Sequence, residues 1–285
     1  AVLLLDAYRN GGVFGIKQSE MPENIPPSGS TRGDERHLAL LTLTVALDYV
    51  RDHDQLWESA HLTCLDDRTS YLFDPSEVAS TPYLEIVRDL QLHRLSLRPN
   101  KDARIWQQIS VTLDRHFNGR LINLIDAAER DALHLIDIVE SKEYHPGFPS
   151  LKGPKISRLW VKIIDENFPG GLKRRELVDV PVDIHIAQAT LQTGCIETQA
   201  LGSITRKLRS AVQRVCRDAS VGLGEGYYPL AIEEPLWVLS RKGCRNRFEW
   251  PCNHRSQCPV AEKCLSDRVW LGSSSASRVP RSISS

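Results

Sequence analysis

The sequence predicts an all-α protein built as two domains. Apolar residues recur at helical spacing along most of the chain, and no segment alternates apolar and polar residues as a half-buried strand would. The 285 residues, 41% of them hydrophobic, are also enough for one large core or two modest ones. Residues 37–50, HLALLTLTVALDYV, are apolar almost all round, so they read as a helix at the centre of a core, with Asp34 as its cap. Ile105, Ile109, Leu113 and Phe117 recur every four residues beside Trp106, and Gly119 follows as a stop. Residues 122–139 continue that amphipathic pattern. A further apolar face is formed by Ile156, Leu159, Trp160, Ile163 and Ile164. A short helix opens at Asp183 and closes at Gly194, and Ile204, Leu208, Ala211, Val212 and Val215 give one more. Loops are expected at 17–33, 62–80, 94–100 and 167–180, and the serine-rich 271–285 is expected to be a disordered tail.

Charge narrows the function. The formal net charge is zero, which by itself argues against a nucleic-acid partner, but the charges are segregated. Residues 53–89 carry Asp54, Glu58, Asp66, Asp67, Asp74, Glu77, Glu85 and Asp89 against only Arg68 and Arg88. Residues 145–175 reverse this with Lys152, Lys155, Arg158, Lys162, Lys173, Arg174 and Arg175, and residues 203–217 hold five basic residues and no acid. One such run is an ordinary solvated face; several in one half of a chain point to an anionic polymer. No apolar run reaches the ~18 residues of a membrane span, and the opening AVLLL lacks the length and basic lead of a secretory signal. A soluble, intracellular protein with no membrane partner is expected.

Three local patterns carry chemistry. In YHPGFPSLKGPKISRLWVKIIDE, an apolar helix ending near Glu140 and Ser141 is followed by a turn and a second helix. Gly153 suits a positive φ or a close backbone approach, Pro154 suits the first helical position, and Lys155 falls in the first turn. A cation there opposes the helix dipole, so the lysine either points into water or waits for something negative or reactive. A helix–hairpin–helix of this kind aims backbone N–H groups at a phosphate without reading sequence. In VPVDIHIAQATLQTG, Asp183 is a good N-cap, or else a carboxylate placed to stabilise a cationic centre. Finally, Cys244, Cys252, Cys258 and Cys264 fall within 21 residues. Four thiols in one loop of an intracellular protein indicate a metal site, either a zinc or a 4Fe–4S cluster. Cys64, Cys195 and Cys216 read as ordinary buried thiols.

Together, and in this order, the three patterns resemble the helix–hairpin–helix base-excision DNA glycosylases, in particular the iron–sulfur branch that includes endonuclease III and the adenine-mismatch glycosylase. Gly153, Pro154 and Lys155 match that family's Gly-x-Lys; Val182, Asp183 and His185 match its Val-Asp-x-His; LWVLSRKGC matches the helix leading into its first cluster cysteine. The similarity is detailed over residues 144–194 and 229–264. It implies a six-helix barrel domain over 34–168 and an iron–sulfur domain from 1–33 and 169–270, in a monomer acting on double-stranded DNA that contains a damaged or modified base. It further implies Lys155 as nucleophile, Asp183 as the essential aspartate, and a 4Fe–4S cluster on the four clustered cysteines. Their spacing, C-x7-C-x5-C-x5-C against the family's usual C-x6-C-x2-C-x5-C, keeps zinc as the alternative. Leu151, Lys152, Gly153 and Arg158 of the hairpin, with Arg245 and Arg247 of the cysteine loop, would contact DNA.

The chemistry so implied is base excision with abasic-site lyase activity. An enzyme acting on a base inside a duplex extrudes it, at a cost of a few kcal/mol. Partial positive charge and desolvation at the helix start would disfavour the ammonium form of Lys155 and leave an amine able to attack C1′. Asp183 would stabilise the cationic sugar. Two alternatives stand beside this: a monofunctional glycosylase with an idle lysine, and a noncatalytic metal-containing DNA-binding protein.

Overall fold

The computed structural model describes residues 1–49, 51–196, 204–221, 223–224, 226–244, 252 and 254–265. The expected tail 271–285 therefore lies outside the described residues. Within them the chain forms twelve α-helices and short 3-10 turns, with isolated bridges and no β-strand. In chain order the first four are α1 (Val2–Asn10), α2 (Glu35–Val45), α3 (His53–Leu65) and α4 (Pro75–Ser80). Then come α5 (Tyr83–Leu92), α6 (Pro99–Phe117), α7 (Leu121–Ala127) and α8 (Ala132–Glu140). The last are α9 (Ile156–Asn167), α10 (Ile184–Gln192), α11 (Arg206–Ser220) and α12 (Pro229–Val238). Among the described residues no helix is long and apolar enough to cross a membrane.

The helices follow the sequence pattern, with informative departures. Asp34 caps α2 as expected, accepting from His37 N–H at 2.9 Å, but the helix ends at Val45 and leaves Asp48 and Tyr49 in a turn. The stretch 122–139 is broken into α7 and α8. Glu129 and Arg130 adopt φ of 57° and 56°, a left-handed pair that reverses the chain, and Asp131 then caps α8 through the N–H groups of Leu133 and His134. The expected loop at 62–80 holds the end of α3, a 3-10 turn and α4, whose cap is Asp74.

The chain divides into two compact units: residues 19–175, and residues 1–18 with 176–285. The expected boundaries at 33/34 and 168/169 are thus displaced outward on both sides. The reason is a polar belt on α9. Asn167 donates to Asn24 at 2.8 Å and accepts from Arg32 at 2.9 Å, while Asp165 accepts from the Leu172 N–H at 2.6 Å and meets Arg175 at 3.3 Å. Both flanking segments are therefore tied to the helical core they had been separated from.

In the unit formed by residues 19–175, α2 is the central element: Leu38, Ala39, Leu40, Leu41 and Leu43 are fully buried. Truncating one of these leucines to alanine costs about 2–5 kcal/mol. Trp160 of α9 is fully buried against this helix and donates its indole N–H to Thr42 Oγ1 at 3.0 Å. The other unit has its own core, in which Val180, Val182, Ile186, Ala187, Leu191, Val212, Ile232 and Val238 pack with Leu4 and Tyr8 of α1.

One pair, a half-buried histidine on a buried glutamate, makes stability depend on pH. His53 Nε2 lies 3.2 Å from Glu23 Oε2, and the imidazole edge faces the fully buried Trp57. Burial opposes the imidazolium, but the hydrogen bond and charge of Glu23 outweigh it, so His53 is raised above 6.5. Burial likewise opposes ionisation of Glu23, and His53 outweighs it, lowering Glu23 below 4.5. The His53 contribution is full below pH 6.5 and is lost as pH rises through its raised value; that of Glu23 is present above 4.5 and fades as pH falls through its lowered one. Urea midpoints of the wild type should therefore fall between about pH 6 and about pH 9 relative to those of His53→Gln. Parallel curves for the two proteins would exclude the linkage.

Candidate functional site

The turn before α9 is built around a positive-φ glycine. Gly153 has φ +98° and nothing within 4 Å of where a Cβ would stand, so the backbone conformation and not space demands glycine. The helix begins at Ile156, which makes Lys155 its N-cap residue and places Pro154 before the helix, two positions earlier than expected. Lysine offers no acceptor, and the N-cap makes no side-chain capping bond.

An acceptor for the turn, though not for the first helical N–H groups, comes from α8. Glu140 Oε1 accepts from the Gly153 N–H at 3.2 Å and from Ser157 Oγ at 2.8 Å, with Arg158 Nη1 at 4.0 Å. One carboxylate oxygen thus fills the concavity that the hairpin pattern reserves for an anion, supplied from 13 residues upstream. Lys152 is exposed and donates to the Ser141 carbonyl at 3.0 Å. Leu151 does not serve as the expected contact residue: its side chain is fully buried and its N–H is donated to the Phe148 carbonyl at 3.3 Å. The apolar side chain was needed to seat the turn on the core, a demand the sequence pattern does not distinguish from exposure.

Lys155 is not desolvated. Its side chain is 34% exposed, and Nζ lies 3.5 Å from Asp48 Oδ2 in the turn after α2. An ion pair therefore stands where a naked amine was expected, and Asp48 and Glu140 are the two site carboxylates that sequence reasoning missed as partners. Each lies far from its partner in sequence, and only the packing of α2 and α8 beside α9 brings them together.

In the other unit, Asp183 caps α10, accepting from the Ile186 N–H through Oδ1 at 2.9 Å. His185 Nδ1 lies 3.3 Å from Ser240 Oγ, and the ring meets the edge of Trp237. The polypeptide after α12 widens into a π turn, Leu239–Gly243, that delivers Cys244. A Cβ on Gly243 would stand 2.1 Å from the Phe14 ring, so glycine is required there for packing, and Phe14 also meets His254 at 5.3 Å.

Among the described residues no cysteine is disulfide-bonded, and no three His, Cys, Asp or Glu side chains are gathered as a metal-binding group. The thiol set nevertheless fits a thiolate-ligated metal in kind and number: Cys244, Cys252, Cys258 and Cys264 are all half-buried. Burial is the main cause that raises Cys258, and the charges of Cys264 and Cys252 raise it further. Cys216, by contrast, is a core thiol whose burial pushes it up to about 12, whereas Cys195 is exposed and departs from the expected burial. Arg245 and Arg247 lie outside the described residues. The chain matches no protein-family model and gives no significant match to a curated protein.

The Lys155–Asp48 pair has a direct chemical signature. Removing the carboxylate in Asp48→Asn should speed acylation of Lys155 by a small anhydride up to about fivefold, the worth of a half-exposed ion pair. Peptide mass spectrometry reads this, and an unchanged rate would mean that the pair is not held in solution.

Proposed function

We propose that this protein is a DNA base-excision glycosylase with abasic-site lyase activity, acting on duplex DNA that carries a damaged or modified base. The observation that supports it most is the start of α9, where an accessible lysine follows a positive-φ glycine turn whose donors already hold one anionic oxygen. Lys155 is the nucleophile. Asp48, 3.5 Å away, is the nearest acceptor for the proton that its ammonium must lose. The base departs with the glycosidic electron pair and is protonated from solvent; the sugar cation so formed is captured at C1′ by the deprotonated amine of Lys155, and the resemblance assigns its electrostatic stabilisation to Asp183. Ring opening gives a Schiff base, loss of the C2′ proton expels the 3′ phosphate, and water releases the lysine.

Cys244, Cys252, Cys258 and Cys264 would hold a 4Fe–4S cluster that fixes the loop from 244 to 264 as a rigid phosphate-docking element with Arg245 and Arg247. Protein purified without oxygen should be brown and contain about four irons per chain; a colourless chain with one zinc would replace the cluster by a structural zinc.

The Lys155–Asp48 pair also favours a second reading, a monofunctional glycosylase in which the lysine stays an ammonium and only binds. Borohydride decides between them. Incubated with duplex containing a plain abasic site, the wild type should give a covalent adduct that Lys155→Ala abolishes. Asp183→Asn, which keeps a good cap, should still bind DNA but release no base. Binding without an adduct would leave the monofunctional or noncatalytic protein. Glu140→Gln should tighten duplex binding several-fold, because it removes the charge that competes with a backbone phosphate; weaker binding would make Glu140 a scaffold for the turn.

A further inference from the structure

Neither the hairpin nor the cysteine loop takes up the basic run at 203–217, whose five cations all fall on α11, in the unit formed by residues 1–18 and 176–285. Leu208, Val212 and Cys216 recur every four residues and are buried in the core of that unit. That packing turns Lys207, Ser210, Arg214 and Arg217 outward as one stripe, with Arg206 beside it. Thr205 caps the helix, accepting from the Leu208 N–H at 3.1 Å, but the first turn holds cations and no acid, against the helix dipole. Arg206 with Arg209, and Arg214 with Arg217, are like charges three residues apart, which repel on a helix. Little within the protein offsets this. Arg217 pairs with Asp179, but among the described residues Arg206, Lys207 and Arg214 meet no carboxylate, and Asp218 in the last turn is the only acid of the helix. On residues 145–175, by contrast, Arg158, Lys162, Arg174 and Arg175 each have a carboxylate partner.

We infer that the exposed face of α11 is a docking surface for the sugar–phosphate backbone of duplex DNA, one that reads neither sequence nor damage. It rests on the nucleic-acid reading above and adds a contact in the unit that lacks the hairpin. A helix carrying like charges that nothing opposes is relieved by an external polyanion. Lys207 and Arg214 stand about 10 Å apart along the helix axis, and a duplex carries one charge per about 1.7 Å of its length, so each cation can take a phosphate of its own. An acidic protein would meet a face without a large apolar side chain at its centre, since the exposed residues of α11 are Arg206, Lys207, Ser210, Arg214, Arg217 and Asp218. A membrane surface would need the apolar face of the helix, which is turned into the core.

The test measures binding of the whole protein to an undamaged duplex across a salt titration. Lys207→Gln combined with Arg214→Gln removes two exposed charges and leaves Leu208, Val212 and Cys216 in place, so this variant should melt no lower than the wild type. It should bind the undamaged duplex about tenfold more weakly at roughly 0.1 M salt and lower the slope of log K against log salt by about two. A duplex with an abasic site should be weakened by the same factor, while borohydride trapping at saturating protein stays unchanged. Arg68→Gln combined with Arg88→Gln, on the acidic stretch, makes the same change in net charge and should leave the slope as it is. An unchanged slope in the α11 variant, with the wild type binding the duplex, overturns the inference and leaves the glycosylase reading standing. So does a variant that loses affinity only for poly-glutamate, which would make the face one for an acidic protein. Binding that depends on α11 but gives no borohydride adduct upholds the inference and removes the lyase. A wild type that binds no duplex overturns both.

Discussion

The turn that leads into α9 is tied to the end of α8 by a single carboxylate, and the site is arranged around that contact. The N-cap residue is lysine, which cannot accept. Glu140, at the end of α8, accepts from the Gly153 N–H before the helix and from the Ser157 hydroxyl within it. That contact joins the end of α8 to the positive-φ Gly153 turn, and Lys155, two residues on, lies 3.5 Å from Asp48. The positive end of a helix dipole, an anionic oxygen and a lysine thus stand together at one turn.

How much of this could be read from the sequence follows from the range of each interaction. Asp34, Asp183 and Thr205 cap their helices as short-range patterns allow, because a cap and its recipient lie three residues apart. The burial of α2 was legible in an unbroken apolar run. The break between α7 and α8 was not, since Glu129 and Arg130 carry no glycine to announce their left-handed backbone. The contacts of Glu140 and Asp48 with the start of α9 were not legible for a different reason: each partner is distant in sequence, and Asp48, read as a packing or capping residue of the core helix, follows it in a turn. Leu151 shows the converse error, in which a residue inside a recognised motif is spent on the core.

The distribution of charge becomes intelligible on the same basis. Several basic residues of 145–175 are already matched: Arg158 with Glu140, Lys162 with Glu166, Arg174 with Asp131 and Arg175 with Asp165. A count of basic residues along that stretch therefore overstates the field it presents to solvent. Lys152 remains exposed and donates to a carbonyl, and the exposed Lys101, Arg94 and Arg104 lie on a different stretch, outside the basic runs that the sequence singled out.

Lys155 poses the sharpest chemical question, because an ion pair and a nucleophile make opposite demands on the same nitrogen. An ammonium held by a carboxylate is unreactive, yet the carboxylate that holds it is also the base best placed to deprotonate it. The two demands are reconciled if the pair is a resting arrangement. A half-exposed pair at 3.5 Å is worth only about 0–1 kcal/mol, so exchanging it for contacts with a bound polyanion costs little. Excluding water from the pair then strengthens the pull of Asp48 on the proton, since neutralising both partners relieves the desolvation that charge separation would suffer. On the proposed reading, the nucleophilicity of Lys155 is produced by substrate binding, when the contact with Asp48 at 3.5 Å is closed off from water.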